Sequence, residues 1–255
     1  MIMYRVDKVK KLSRSEEVGI VRQAYENGFE FLGSGSSRAV FALDDKKVIK
    51  VALDHQGQRQ NYYEAKFYEQ APHACAEVYA IGSHIIVCEK LEMAYEDLNT
   101  ISIIINAARQ CVDDSEEYYE DWDRDYLDYL DDEDFNYIAY RWDNGELKDI
   151  VDSLELHSRI DELQGSVGSF IDALSSATYY LGNTLDNDQI GFSSQRGIYV
   201  LYDAGFNTDV CQDKCGLVGD MDWYLDTDEP DDVLFQVVEK ISRGKMHLIP
   251  RKIAC

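Results

Sequence analysis

The sequence predicts an α+β fold, with a small strand-rich N-terminal part and a mainly helical C-terminal part. From Gly28 to Glu92, five short runs rich in β-branched and aromatic residues surround a single helical pattern. Beyond Met93, long amphipathic patterns of helical period dominate the chain. With 255 residues and a hydrophobic fraction of 45%, the chain is long enough for one large domain or a two-lobed one.

The N-terminal segment, residues 1–27, is predicted to contain a helix. Ser13 and Glu16 have the spacing of a capping box, in which each residue satisfies a backbone N–H of the other. Apolar residues then recur on one helical face, and Gly28 follows as a helix stop.

Residues 28–93 are predicted to form the strand-rich part. Three strands are expected in the runs FEFLG, SRAVFAL and KVIKVAL, with DDKK as the hairpin between the last two. A helix is predicted in RQNYYEAKFYEQA, and two further strands are predicted in AEVYAIG and HIIVCEKLE. This order of strands, helix and strands describes a small α+β lobe.

Residues 94–255 are predicted to be mainly helical. LNTISIIINAARQCVDD and SRIDELQGSVGSFIDALSSATYYLG both have helical patterns. The inner face of the second helix is expected to hold Ile160, Leu163, Val167, Phe170, Ile171 and Leu174. A short strand, a turn at Arg196 and Gly197, and an apolar strand ending in Asp203 follow.

The chain is strongly acidic, with a net charge of -24 and a pI of about 4.4. Such a surface repels nucleic acids and anionic membranes, which argues against direct binding to either, and it attracts basic proteins. Residues 113–135 hold 13 acidic residues and one basic residue, hence a net charge of -12. Trp122, Tyr126 and Tyr129 recur there at helical spacing, which predicts an acidic helical insertion.

Three interpretations of the acidic insertion stay open at this point. It is a solvated helix face, as most charge runs are. Alternatively, it is a docking surface for a basic protein, such as a transcription, RNA-processing or defence factor. In the third interpretation, its carboxylates imitate DNA phosphates and occupy a DNA-binding cleft.

Neither a membrane segment nor a signal peptide is recognisable. No run approaches the roughly 18 apolar residues of a membrane helix, and the N-terminus lacks the apolar core of a signal peptide. We therefore expect a cytoplasmic protein. In that compartment the six cysteines are expected to be free thiols, with a zinc site at Cys211 and Cys215 as the alternative.

A glycine-rich turn lies between the first two predicted strands. GSGSSRAV has glycines at Gly33 and Gly35 and a valine at Val40, with Arg38 where a third glycine often stands in such loops. Glycines let a β-turn lie close over phosphates without side-chain clashes, although a plain β-hairpin is the simpler explanation.

Three charged residues follow this turn in an informative order. Lys50 lies on the third strand, Glu64 lies on the next helix with Glu69 as a rival, and Asp203 ends an apolar strand. A strand lysine suits phosphate oxygens, a helix glutamate orients that lysine, and a carboxylate at a strand end suits Mg²⁺. The bland alternatives are a solvated edge-strand lysine, surface glutamates and a strand-end cap.

These residues resemble the protein-kinase-like superfamily, with Lys50 as its strand lysine, Glu64 as its helix glutamate and DAG at Asp203–Gly205 in place of DFG. VCEKLE, which contains Glu89, falls where the family's hinge holds adenine. The run GFEFLGSGSSRAVFALDDKKVIKVAL is most similar to the early serine/threonine protein kinases of short-tailed lytic coliphages, and the resemblance as a whole covers roughly residues 28–206. It implies a two-lobed kinase-like fold that binds ATP and Mg²⁺.

The catalytic loop departs from the family's HxDxxxxN pattern. QIGF places Gln189 where the family's metal-binding asparagine stands, and five residues earlier the chain has Thr184 rather than aspartate. A shortened loop would let Asp186 or Asp188 serve as the catalytic base, and the sequence does not decide between them.

Two functions follow from the resemblance and the charge. The first is a protein kinase that phosphorylates Ser or Thr of host proteins during phage takeover, in the host cytoplasm. The alternative is a pseudokinase scaffold whose acidic, DNA-like surface binds and inhibits a host nucleic-acid-binding or defence protein.

Overall fold

The computed structural model describes residues 9–27, 30–35, 37–110, 132–181 and 189–203. These residues form two compact units. The described part of the first unit comprises 9–72 and 77–90, and that of the second comprises 73–76 and 91–203, with the gaps just given. The first unit is rich in strands and the second is mainly helical, so the predicted α+β class is confirmed.

A six-stranded sheet forms the framework of the first unit. Its strands, in the spatial order β1-β5-β6-β4-β3-β2, are β1 Lys10–Lys11, β2 Phe31–Ser34, β3 Arg38–Ala42, β4 Lys47–Ala52, β5 Val78–Ile81 and β6 Ile85–Glu89. β1 pairs with β5 in parallel, and the other neighbours are antiparallel. The two-residue strand β1 had no signal in the sequence pattern.

The predicted N-terminal helix is present as α1, Arg14–Asn27. The Glu16 carboxylate accepts hydrogen bonds from the backbone N–H and the hydroxyl of Ser13, at 2.8 and 2.9 Å, so the glutamate half of the capping box is present. The serine half differs from the prediction, because the Ser13 hydroxyl donates to Glu16 and the backbone N–H of Glu16 donates to the Ser13 carbonyl at 3.0 Å. Lys10 also donates to Glu16 at 2.8 Å. Together these bonds, that of Lys10 foremost, lower the pKa of Glu16 to about 2.

Helix α2, His55–Gln70, begins four residues before the predicted start at Arg59. Asp54 caps it, since its carboxylate accepts the backbone N–H of Gly57 at 2.8 Å. A Cβ at Gly57 would lie 2.1 Å from the carbonyl oxygen of Ser37, so only glycine lets the helix start this close to the sheet.

Strand β4 contributes side chains to both faces of the sheet, which lies between α1 and α2. Its residues Ile49 and Val51 belong to a buried apolar cluster that includes Val21 of α1. Because successive side chains of a strand point to opposite faces, Lys50 points to the other face, where it contacts Glu64 of α2. The sheet therefore buries an apolar face under α1 and a charged group under α2.

Five helices and a three-stranded sheet make up the described part of the second unit. They are β7 Glu92–Met93, α3 Tyr95–Gln110, α4 Asp132–Asp143, α5 Lys148–Ser153, α6 His157–Asp161, α7 Val167–Leu181, β8 Ile190–Ser193 and β9 Ile198–Leu201. Helix α7 packs against α4 and β9. None of the helices described in either unit is long and apolar enough to cross a bilayer.

The single helix predicted over SRIDELQGSVGSFIDALSSATYYLG is wrong, because the chain there forms α6 and α7 with a break between them. In the break, the backbone N–H of Gln164 donates to Asp97 and that of Gly165 donates to the Tyr199 hydroxyl, instead of to helical carbonyls. A Cβ at Gly165 would lie 2.9 Å from the Tyr199 ring. Of the expected inner-face residues, the four in α7 are buried and the two before it are half-buried: Val167, Phe170, Ile171 and Leu174, then Ile160 and Leu163.

Candidate functional site: a buried lysine–glutamate pair

The predicted ion pair between Lys50 and Glu64 is present in the first unit. Lys50 Nζ lies 2.5 Å from Glu64 Oε1, and the two residues are only 5% and 2% exposed. Lys50 lies in the middle of β4 and pairs with Val40 of β3 and Ile86 of β6. A strand with neighbours on both sides holds the lysine, and α2 brings the glutamate to it.

Glu69, the rival of Glu64, does not take part in this pair. It lies on the exposed side of α2 and forms an ion pair with Lys66 at 3.0 Å. Glu64 is therefore the helix glutamate of the site.

Arg38 provides a second cation that sequence reasoning missed. Its guanidinium nitrogen NH1 lies 2.6 Å from Glu64 Oε2 and 3.3 Å from Asn61 Oδ1. Arg38 is opposite Ala52 in the β3–β4 ladder, just as Val40 is opposite Lys50. The two cations thus belong to the same face of the sheet, since residues two apart on a strand share a face. The predicted hairpin DDKK did not define this register, in which Ala42 rather than Leu43 is opposite Val48.

The charged groups of the cluster, Lys50, Arg38 and Glu64, are all buried, and each affects the others. Burial by itself would raise the pKa of Glu64, but the adjacent charges of Lys50 and Arg38 outweigh it and hold that pKa below its usual value. Cys88 of β6 donates its thiol to Glu64 at 3.6 Å. Burial, and next the Glu64 charge, raise the pKa of the Cys88 thiol, which keeps it protonated.

The glycine turn connects β2 and β3, the two strands at one edge of the six-stranded sheet. Gly33 pairs with Val40, and the backbone N–H of Gly35 donates to the carbonyl of Arg38 at 3.0 Å. A Cβ at Gly33 or Gly35 would meet no atom within 4 Å in the described part of the chain. Packing against those residues does not explain the glycines, whereas close approach to a ligand would. Phosphate binding by Gly33, Gly35 and Val40 stays a prediction.

Glu89 lies at the end of β6, in the segment predicted to hold adenine. Its backbone N–H donates to the carbonyl of Glu77 at 2.8 Å, and its buried carboxylate accepts the N–H of Glu77 at 3.2 Å. These two bonds hold the end of β6 against Glu77, the residue just before β5. A role of Glu89 in adenine binding stays a prediction.

Gln189 and Asp203 lie at the same end of the β8–β9 hairpin in the second unit. Ile190 pairs with Leu201, and the backbone N–H of Tyr202 donates to the carbonyl of Gln189 at 2.9 Å. Gln189 is buried and Asp203 is half-buried. Amide and carboxylate oxygens are ligand types that Mg²⁺ accepts, so the donor chemistry fits the predicted metal role, which stays a prediction.

The remaining predicted site residues lie outside the described part of the chain. Asp186 and Asp188, the candidates for the catalytic base, are both there, and so are Cys211, Cys215 and most of the acidic insertion. Among the described residues, no group of three or more His, Cys, Asp or Glu side chains is arranged to hold a metal ion.

Comparisons with known proteins add little to this geometry. No family model and no curated protein match the chain. Among solved structures, it is similar to the ternary complex of streptomycin, ATP and APH(2")-IIa, an aminoglycoside phosphotransferase, at 14% identity. The likeness covers 76% of this chain and 71% of the other with a TM-score of 0.35, too low to support an argument. The resemblance to kinases therefore stays a prediction from the sequence, and the observed pairing of Lys50 with Glu64 is consistent with it.

Proposed function

We propose that this protein is an ATP- and Mg²⁺-dependent kinase that transfers the γ-phosphoryl group to a Ser or Thr hydroxyl of a protein. The observation that carries the proposal is the buried ion pair between Lys50 on a central strand and Glu64 on the adjoining helix. In kinases this pair orients the lysine toward the nucleotide phosphates.

The pair is hard to explain by stability alone. Taking an ammonium and a carboxylate out of water costs several kcal/mol for each ion. Apolar residues of similar volume often stabilise a core at least as much as such a pair. Charged clusters of this kind are concentrated at functional sites. A function that requires a fixed lysine accounts for the cost.

The other predicted residues have distinct roles in this proposal. The glycine turn from Gly33 to Val40 covers the phosphates, and the segment around Glu89 holds adenine. Gln189 and Asp203 hold Mg²⁺, which when bound neutralises charge on the transferred phosphoryl group. The carboxylate of Asp186 or Asp188 positions the acceptor hydroxyl.

The charge of the chain suggests the kind of acceptor. A net charge of -24 attracts basic proteins and lowers the affinity for nucleic acids. We propose basic host proteins as targets, reached in the host cytoplasm, in keeping with the resemblance to phage kinases.

A second candidate function is a pseudokinase scaffold that binds a basic host protein through the acidic insertion. The observation that favours it is the combination of Thr184 in place of the expected catalytic aspartate with a net charge of -12 over residues 113–135. In that case, reversing charges across 121–134 abolishes partner binding, while Lys50→Met leaves binding intact. Binding that survives the charge reversal would exclude the scaffold.

The deciding experiment measures thermal unfolding with and without ATP and Mg²⁺. A ligand that binds only the folded state raises stability by about 2.7 kcal/mol at a concentration 100 times its Kd. We expect a metal-dependent rise in Tm for the wild type and for Lys66→Met, a matched lysine on the outer side of α2. The rise should be absent in Lys50→Met, and radiolabelled transfer to a basic protein should follow the same pattern. No rise at saturating ATP would contradict the proposal.

A further inference from the structure

We propose that Arg38 is a positioning residue, which keeps Glu64 and helix α2 in place so that Lys50 stays aligned when it engages a nucleotide phosphate. The inference rests on the proposed function for its catalytic consequence. Its structural part concerns only the first unit.

The two oxygens of the Glu64 carboxylate have different partners. Oε1 accepts from Lys50 at 2.5 Å, and Oε2 accepts from Arg38 at 2.6 Å. Glu64 is only 2% exposed, and both oxygens of its buried carboxylate need partners, because an unsatisfied buried charge is costly. Arg38 therefore holds the half of the carboxylate that Lys50 does not reach.

Arg38 also contacts α2 at a second point. Its NH1 group donates to Asn61 Oδ1 at 3.3 Å, one helical turn before Glu64, and Asn61 Nδ2 donates to the His84 carbonyl at 3.2 Å. Asn61 is completely buried and Arg38 is 6% exposed. The guanidinium thus links β3 to two successive turns of α2, and Asn61 extends the link to the backbone just before β6.

The different roles proposed for Lys50 and Arg38 follow from the chemistry of their side chains. An ammonium on a flexible stem changes partners easily, which suits Lys50 if it serves both Glu64 and a phosphate. A guanidinium is planar and permanently charged and makes bonds of fixed geometry. When Lys50 is drawn toward phosphate, Arg38 keeps Glu64 ionised and in place. This accounts for an arginine at the position where a phosphate-covering loop often has its third glycine.

The test compares Arg38→Met, Arg38→Lys and the control Arg59→Met. Methionine keeps most of the side-chain volume without the charge, and lysine restores the charge. Arg59 is an exposed arginine on α2, the helix that Arg38 contacts. Hydrogen exchange of the α2 amides is measured below the Tm of every variant, and kcat and KM for ATP are measured at the same temperature.

We expect Arg38→Met to accelerate exchange in α2 relative to the β3 and β4 amides. We also expect it to lower kcat by about tenfold to a hundredfold, the effect of a small misplacement of a positioned group, with a smaller change in KM. Arg38→Lys should recover most of kcat, and Arg59→Met should behave as wild type.

Two results would overturn the assignment. One is wild-type exchange of α2 in Arg38→Met. The other is a kcat of Arg38→Met equal to that of wild type. If the wild type itself transfers no phosphoryl group, the proposed function fails instead, and the exchange of α2 alone decides whether Arg38 positions Glu64.

Discussion

Glu17 of α1 accepts the backbone N–H of His84 at 2.8 Å and the hydroxyl of Ser83 at 2.9 Å. The glutamate is 1% exposed, so its carboxylate is the acceptor for donors at the turn between β5 and β6. His84 is buried as well, and its ring nitrogen Nε2 lies 2.9 Å from Gln58 Nε2 of α2. The N-terminal helix is thus part of the polar framework that holds α2, in addition to covering the apolar face of the sheet.

Glu17→Ala should destabilise the protein strongly. The substitution leaves the buried N–H of His84 without this acceptor, a loss that costs about 1–3 kcal/mol, and it removes one partner of the half-buried Ser83 hydroxyl. Urea unfolding at neutral pH measures the free energy of unfolding of the variant against that of Arg22→Ala, an exposed residue on the same helix. Equal stability of the two variants would show that the carboxylate is not needed at this turn.

Gly57→Ala and Gly19→Ala should change stability in opposite directions. A Cβ at Gly57 would meet the Ser37 carbonyl at 2.1 Å, so the start of α2 must move away from the sheet, at a cost of about 1–3 kcal/mol. A Cβ at Gly19, inside α1, would meet no described atom within 4 Å. Alanine there should stabilise by about 0.4–1 kcal/mol, because it restricts the unfolded chain. Thermal unfolding of both variants provides the comparison, and a stabilising Gly57→Ala would contradict the close approach.

The parts of the fold that the sequence predicted are those fixed by local chemistry. The bond from the Ser13 backbone N–H to Glu16 at the start of α1 and the strand that carries Lys50 both follow from local patterns, and both are present. Periodicity could not reveal the break before α7, because it depends on bonds from Gln164 and Gly165 to Asp97 and Tyr199, which are distant in sequence.

The same distinction applies to the candidate site. Lys50 and Glu64 were recognisable because the order of a strand lysine and a helix glutamate is itself informative. Arg38 was not, because its role depends on the register of β3 against β4 and on the rotation of α2 over the sheet. Only the folded chain shows that its guanidinium shares the carboxylate of Glu64 with Lys50.

Tyr199→Phe should change the response of the protein to alkaline pH. Burial and the hydrogen bond to Asp97 raise the pKa of Tyr199 above its ordinary value near 10. Since the folded state keeps the phenol neutral, its stabilising effect is complete below about pH 10 and is lost as pH rises through the folded-state pKa. Urea unfolding at about pH 8 and above pH 10 measures the free energy of unfolding of the wild type and of Tyr199→Phe. The wild type should lose more stability than the variant at the higher pH. A constant difference would exclude a perturbed Tyr199.

Glu64→Gln should impair both stability and phosphoryl transfer. Removing one partner of a buried pair costs about 3–5 kcal/mol, because the cations Lys50 and Arg38 lose the carboxylate that they share. The pKa of Glu64 is lower in the folded protein than in the unfolded chain, which therefore binds the proton first as pH falls. The stabilisation is then complete well above the unfolded-state pKa of about 4.3 and declines as pH falls through the folded-state value.

The pH dependence of this stabilisation by Glu64 is tested by urea unfolding of the wild type and Glu64→Gln at neutral pH and at about pH 3.5. Glu69→Gln is the control for an exposed glutamate on the same helix. The difference in free energy of unfolding between wild type and Glu64→Gln should be large at neutral pH and smaller at about pH 3.5. Glu69→Gln should stay close to wild type at both pH values. At neutral pH and below its Tm, Glu64→Gln should also lose most of its phosphoryl transfer, since an uncoupled Lys50 no longer has a fixed direction. A gap that is independent of pH would mean that Glu64 is not held ionised by its two cations. Full transfer would mean that the pair supports the fold rather than the chemistry.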